Sequence, residues 1–216
     1  MTKHILTGRS ILTGEAPGAE AVPDPIVRFV EARPWITRCV VHVAAPNPQG
    51  PAAGWSDSPD GMNIAIDVWA ADDRALDSTD APLQQASVYA VEEIVEKGSG
   101  QFSPGALPGI TLFSRNLPKP GLTAAEVRAG YDRHPLTALR VHVGMDTYVR
   151  NCTLSRSPQD APPLASISVL YFPSEDAFLH GLYESEEGQQ EIMRDVEGFM
   201  DTSRMMVVTA RSHALL

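Results

Sequence analysis

His134 is the side chain in this sequence best suited to moving a proton. An imidazole titrates close to neutrality, so it can both take up and return a proton under ordinary conditions. Its neighbours place it. Pro135 disfavours helical geometry at the residue before it, which predicts His134 at the C-terminal edge of a helix or in the turn after it. Upstream, Thr123 and Glu126 have the spacing of a capping box, in which hydroxyl and carboxylate each satisfy a free amide, so that helix begins near Ala124. Tyr131 lies three residues before His134, on roughly the same helical face, where a phenol can orient the imidazole. Tyr148 and Asn151 fall on the strand that follows; side chains alternate along a strand, so only one of the two can share a side with His134. Each residue also has an ordinary structural role: His134 as a cap for the last helical carbonyls, Tyr131 as core.

Other chemistries lack their residues. No HxH, HxxxH or His/carboxylate facial pattern occurs, and Cys39 and Cys152 have no CxxC partner, so neither a metal nor a disulfide is expected. His42 and His142 sit among valines and read as core or edge positions, while His4, His180 and His213 have no metal-binding spacing. The run GSGQFSPG lacks the Lys-Ser/Thr of a phosphate loop, and no GxSxG elbow is present, which argues against nucleotide binding and against a Ser/His/Asp hydrolase. Lys and Arg number 17 against 27 Asp and Glu, with no basic stripe, so neither nucleic acid nor an anionic membrane is an expected partner. No apolar run approaches the ~20 residues that cross a bilayer. The start MTKHILTGRSILTGEA has no signal-peptide core, and a cytoplasmic location is expected.

The elements that must position these side chains follow in order. Residues 3 to 13 form a strand; Pro25 opens a short helix with Ile26, Phe29 and Val30 on one face; residues 36 to 45 and 62 to 69 form strands. Between the last two lies a proline- and glycine-rich loop carrying Trp55, too long for a hairpin and suited to a lid. Residues 71 to 78 supply acids for a helix start. From Pro82 to Lys97, Leu83, Ser87, Ala90, Val91, Ile94 and Val95 share a helical face, which predicts a helix stopped by Gly98. Residues 98 to 109 read as a linker. The second half repeats the order: strand from 110, the capped helix, strands at 145 to 154 and 164 to 172, a helical region broken near Gly188, and a closing strand. This is the split βαβ order of a ferredoxin-like unit, twice over: 1 to 97, linker 98 to 109, and 110 to 216. Segments 62 and 164 match in pattern at an offset of 102. The triplet VHV at 41 and 141 does not fit that register and is a coincidence.

From residue 110 onward the chain resembles the EthD family of the dimeric α+β barrel superfamily. The matching residues are Lys119, Pro120, Gly121, Leu122, Thr123, Glu126, Tyr131, His134, Pro135, Leu136, Tyr148, Val149 and Asn151, then Glu187, Gly188, Gln189, Phe199 and Asp201. The resemblance implies an α+β fold in which two ferredoxin-like sheets pack face to face as a barrel, with a cavity between sheet and helices. Two chains usually build such a barrel; here the degenerate first half can supply the second sheet, and a homodimer remains compatible. That half lacks the Lys-Pro-Gly turn and carries Arg33 where the histidine would stand, so activity is expected in the second half alone.

The family includes cofactor-free dehydratases, decarboxylases, isomerases and cyclases. The resemblance therefore implies a lyase or isomerase needing no cofactor, acting on a hydrophobic, aromatic or polyketide-like small molecule. His134 would serve as base beside a carbonyl, with Tyr131 and Tyr148 in support. Arg115, at the barrel mouth, together with Asn151, Phe113, Tyr171 and Trp69, is the expected binding set. Two other readings stay open: a non-catalytic binding protein serving an oxygenase, and a cofactor-free monooxygenase.

Overall fold

A computed structural model describes residues 1–9, 21–45, 48, 62–72 and 74–216. Trp55 and nearly all of the loop around it lie outside these residues, as do Ile11 and Leu12. The first unit runs β1 (Thr2–Arg9), α1 (Asp24–Glu31), β2 (Ile36–Ala44), β3 (Ile64–Ala70) and β4 (Gln84–Lys97). After a two-residue strand β5 (Gly105–Ala106), the second unit runs β6 (Ile110–Asn116), α2 (Ala124–Arg133), α3 (Pro135–Val141), β7 (Thr147–Ser157), β8 (Ser166–Phe172), α4 (Glu175–Gly181), α5 (Glu186–Glu197) and β9 (Met206–Ala214).

Each unit orders its strands fourth-first-third-second: β4-β1-β3-β2, then β9-β6-β8-β7. Antiparallel pairs β4 with β7 and β2 with β9 join the two sheets, so eight strands close into one barrel with β5 as a short addition to β9. The fold is α+β, two ferredoxin-like units in one chain. β3 and β8 begin at Ile64 and Ser166, the offset of 102 read from the pattern. Closure leaves each long strand paired on both edges, which removes the exposed edges an open sheet would present.

The segment at 84 to 97 corrects an expectation. Its apolar spacing fits a helix, yet it is β4, a strand of 14 residues paired with β1 on one side and β7 on the other. Val88, Val91, Ile94 and Val95 are β-branched, and both sheets need a strand at this place, so tertiary pairing overrides the local pattern. The helix start expected at 71 to 78 is not found among the described residues there, which are bend, irregular chain and turn. The first unit thus has its fourth strand, but no second helix among its described residues. Gly98 still ends the element, at φ +73°, where an added Cβ would lie 2.7 Å from Thr147 Oγ1.

Alternation divides every strand between two compartments. One set of residues fills the barrel lumen: Ile5, Ala65, Tyr89, Val91, Phe113, Val149, Ile167 and Val169. A polar cluster shares the lumen, with Lys3 Nζ 2.8 Å from Asp67 Oδ2 and 2.9 Å from Glu93 Oε1, and His42 Nδ1 2.7 Å from Ser212 Oγ. Burial pushes the Asp67 carboxyl up, and Lys3 and His42 together outweigh it, leaving that group below the ordinary carboxylate range. On the outer face of the first sheet, Ile26, Phe29 and Val30 of α1 pack against Leu6, Val41, Ile66 and Val68. Over the second sheet stand four helices, and there the packing is incomplete.

Candidate functional site

The gap between the second sheet and its helices is a cavity of about 210 Å³. Leu112, Ser114 and Asn116 of β6, Tyr148 of β7, and Ser168 and Leu170 of β8 form its floor. Tyr131 and His134 come from the α2–α3 junction, His142 from the end of α3, and Gln189, Ile192, Met193 and Val196 from α5.

His134 is placed by the residues around it. The capping box forms: Glu126 N–H donates to Thr123 Oγ1 and the Thr123 N–H donates to Glu126 Oε2 at 2.8 Å. α2 then runs to Arg133, and His134 is at once its C-cap and the N-cap of α3, whose first residue is Pro135. Contrary to the expected pre-proline geometry, His134 is itself helical, at φ −50° and ψ −38°. Its N–H donates to Gly130 O at 3.1 Å, and its carbonyl accepts from Ala138 at 3.0 Å, so the chain turns from one helix into the next around this residue. Pro135 needs no amide donor at the first position of α3. Gly130 lets Phe199 come close: an added Cβ would sit 2.5 Å from Phe199 Cβ, and the Phe199 ring is centred 5.7 Å from the imidazole.

The imidazole has a carboxylate behind it. Asp195 Oδ2 of α5 lies 2.7 Å from His134 Nδ1, with side chains 30% and 11% exposed. A carboxylate only accepts, so Nδ1 carries the proton and Nε2 presents a bare lone pair, the tautomer a base requires. The ring stacks near Tyr131, centroids 6.4 Å apart, and meets Tyr148 edge-on at 6.5 Å. Beneath them the Tyr131 hydroxyl bonds Ser168 Oγ at 2.7 Å, and Asn116 Nδ2 donates to both Ser166 and Ser168 while Ser114 donates to Asn116 Oδ1. The Tyr148 hydroxyl, fully buried, has no hydrogen bond within the protein, although Ser168 stands near enough to favour its ionised form slightly. Burial nevertheless holds the Tyr148 phenol well above its ordinary pKa and pushes that of Tyr131 up to about 12, so both remain neutral donors.

A second layer steadies this wall. Arg150, buried, donates to the Tyr131 carbonyl at 2.9 Å and to Asp132 Oδ1 at 3.0 Å, and pairs with Glu96 of β4. Through Glu96 the first unit braces the end of α2 without lining the cavity.

Of the residues expected to act, His134, Tyr131 and Tyr148 are brought together. The five expected binding residues are not. Phe113 and Arg115 belong to the opposite face of β6 and lie in the lumen, Arg115 only 1% exposed and bonded to Met206 Sδ, away from any mouth. Asn151 is fully buried in the lumen and donates to Ile167 O at 3.0 Å. The Tyr171 hydroxyl donates to Pro108 O, and Trp69 donates to Glu93 between Lys3 and Arg38 in the first unit. The physical reason is strand parity: moving one residue along β6 moves a side chain to the other compartment. The break near Gly188 is also displaced. Gly188 lies in the first turn of α5, its N–H bonded to Ser185 Oγ, and the interruption falls at 182–185.

Sequence reasoning missed Asp195, Ser114, Asn116, Ser168 and the place of His142 in the cavity wall. Small polar residues on strands whose both faces are covered, as in ITLFSRN and SISVLYF, were the available signal. Asp195 had none, since it looks like any acid on a solvated helix face.

The EthD domain family model matches residues 119–203. Over that stretch of the second unit the chain is similar to an EthD domain. The matched residues include Tyr131, His134, Tyr148, Ser168 and Asp195. Solved structures similar over nearly the whole chain include an anthrone oxidase-like protein, at 12% identity, covering 99% of this chain and 91% of the other with a TM-score of 0.56. A candidate monooxygenase from Fusobacterium nucleatum subsp. nucleatum ATCC 25586 is 8% identical, covering 100% and 92% with a TM-score of 0.53. A candidate monooxygenase from Lactobacillus acidophilus NCFM is 10% identical, covering 99% and 95% with a TM-score of 0.50. At such identities the likeness is one of fold. Among curated proteins none matches the sequence. No helix among the described residues is long and apolar enough to cross a membrane.

Proposed function

We propose that this protein is a cofactor-independent lyase or isomerase that takes a proton from carbon beside a carbonyl of an apolar small molecule. One observation carries the reading: an imidazole fixed through Nδ1 by a carboxylate at 2.7 Å lines a cavity that also holds an unpaired, buried phenol. His134 Nε2 accepts the C–H proton, and the enolate oxygen that forms accepts from the Tyr148 hydroxyl, which water does not compete for. The imidazolium, held against Asp195, then returns the proton to a second carbon of the enolate, completing an isomerisation, or to a leaving hydroxyl, completing a dehydration. A void beside His134 favours catalysis over simple shelter of a compound.

A second reading shares the first step. The names of the fold relatives, candidate monooxygenases and an anthrone oxidase-like protein, favour an enolate or phenolate that reacts with dioxygen as co-reactant. One experiment separates the two. 2-Tetralone, a two-ring ketone with acidic C–H bonds, is incubated with the protein in D2O and followed by NMR, with dissolved oxygen monitored in parallel. The proposal expects deuterium incorporation above the buffer rate without oxygen uptake. Uptake coupled to turnover would favour oxygenation, and exchange no faster than buffer would refute proton abstraction.

A further inference from the structure

His142 contributes a group to the same cavity that the proton transfer does not use. It caps α3, is 7% exposed, and lines the void next to Tyr183 and Leu182. Its Nδ1–H donates to the Leu182 carbonyl. That contact is imposed by the backbone: Gly144 N–H donates to Gly181 O at 2.8 Å, and an added Cβ on Gly181 would lie 2.4 Å from Gly144 Cα, so only paired glycines let the α3–β7 turn and the end of α4 approach this closely. With Nδ1 committed, Nε2 is a bare acceptor, and among the described residues nothing donates to it. Burial lowers the ring's pKa to about 4, so the acceptor stays uncharged at neutral pH and is a poor base beside His134. The lining as a whole contains no Lys, Arg, Asp or Glu. A charged ligand would lose its hydration there with no opposite charge to replace it. As to size, an apolar cavity of about 150 Å³ holds benzene, so about 210 Å³ accommodates one ring with substituents or a compact second ring.

We propose that His142 is the specificity-determining acceptor of this cavity: its Nε2 receives a hydrogen bond from a hydroxyl on an uncharged one- or two-ring ligand, selecting that compound over its methyl ether and over a carboxylate. The inference rests on the cavity being the ligand site proposed above, and it adds which compounds enter it. The Tyr148 hydroxyl donates and His142 accepts, so the preferred ligand carries an acceptor oxygen and a separate donor. A site built around a ligand hydroxyl rejects the analogue without it strongly, because the protein group is then left unpaired.

The test uses three probes on one scaffold: 4-hydroxyacetophenone, 4-methoxyacetophenone and 4-acetylbenzoate, with Kd read by protein-observed NMR at neutral pH. In the unaltered protein the hydroxyl compound is expected to bind at least about tenfold more tightly than either of the others. His142→Leu should reduce that ratio to less than about threefold, whereas Tyr148→Phe should weaken the hydroxyl and methoxy ketones alike. His142→Asn, which keeps a polar side chain for Leu182 O, serves if the leucine variant melts early; it should shrink the ratio too. Equal binding of the hydroxyl and methoxy probes, or a ratio that survives both substitutions, overturns the role of His142 while the cavity stands as a ligand site. No binding of any probe at millimolar concentration overturns the ligand site and this inference together.

Discussion

Replacing Asp195 by Asn tests whether the carboxylate behind His134 sets its chemistry or merely anchors a helix. The 2.7 Å contact is a hydrogen bond between a carboxylate and a ring that becomes charged when it takes a proton. Bonds of that kind contribute about 1.5–3 kcal/mol. Asp195 retains 30% of its side-chain exposure, so solvent screening argues for the lower part of that range, about 1.5–2 kcal/mol. At 1.36 kcal/mol per tenfold, the loss is about 10- to 30-fold in the proton-transfer rate. The amide can still accept from Nδ1–H through its oxygen, so ring position and ligand affinity should change little. The assay is deuterium incorporation into 2-tetralone with saturating and subsaturating ketone, accompanied by a melting curve. A fall in the saturated rate with an unchanged half-saturation concentration and Tm is the expected outcome. A rate within twofold of the parent, or a change confined to half-saturation, would refute the dyad.

Other outcomes follow from the lumen and the backbone. Lys3→Met strands the buried Asp67 carboxylate and removes the partner of the half-buried Glu93, and should destabilise the fold by about 3–5 kcal/mol in urea unfolding with no effect specific to cavity ligands. Because the Asp67 pKa is lowered in the folded state, its contribution is fully present above the unfolded carboxylate pKa and fades as pH falls below it toward the folded value. Acid titration by circular dichroism should therefore show stability lost below about pH 4, and less steeply in Asp67→Asn. Gly181→Ala drives a methyl into the Gly144 backbone and should cost about 1–3 kcal/mol while weakening hydroxyl-probe selection more than proton exchange.

Much of the second unit is legible from local chemistry. Thr123 and Glu126 announce α2 because a capping box is a contact between residues three apart. Pro25 and the spacing of Ile26, Phe29 and Val30 do the same for α1. β4 was not legible as a strand: the apolar residues from Leu83 to Val95 suit a helical face, and only the demand of β1 and β7 for a partner decides between the periods. The site divides in the same way. His134 and Tyr131 share a helix face, so spacing relates them. On β6 the sequence points to Arg115 and Phe113 where the cavity takes Leu112, Ser114 and Asn116, because alternation shows that two faces exist but not which one the helices leave partly uncovered. Asp195 reaches His134 across 61 residues, through the packing of α5 on the α2–α3 junction, and no local pattern records that meeting.

The central claim is that His134 is the base of the cavity, and it is tested most directly by comparing deuterium incorporation into 2-tetralone catalysed by the unaltered protein and by His134→Ala, with ketone binding and Tm measured on the same samples. Loss of about 10²–10⁴-fold in exchange, with binding and folding retained, is the predicted result. Exchange that continues undiminished in the alanine variant would contradict it.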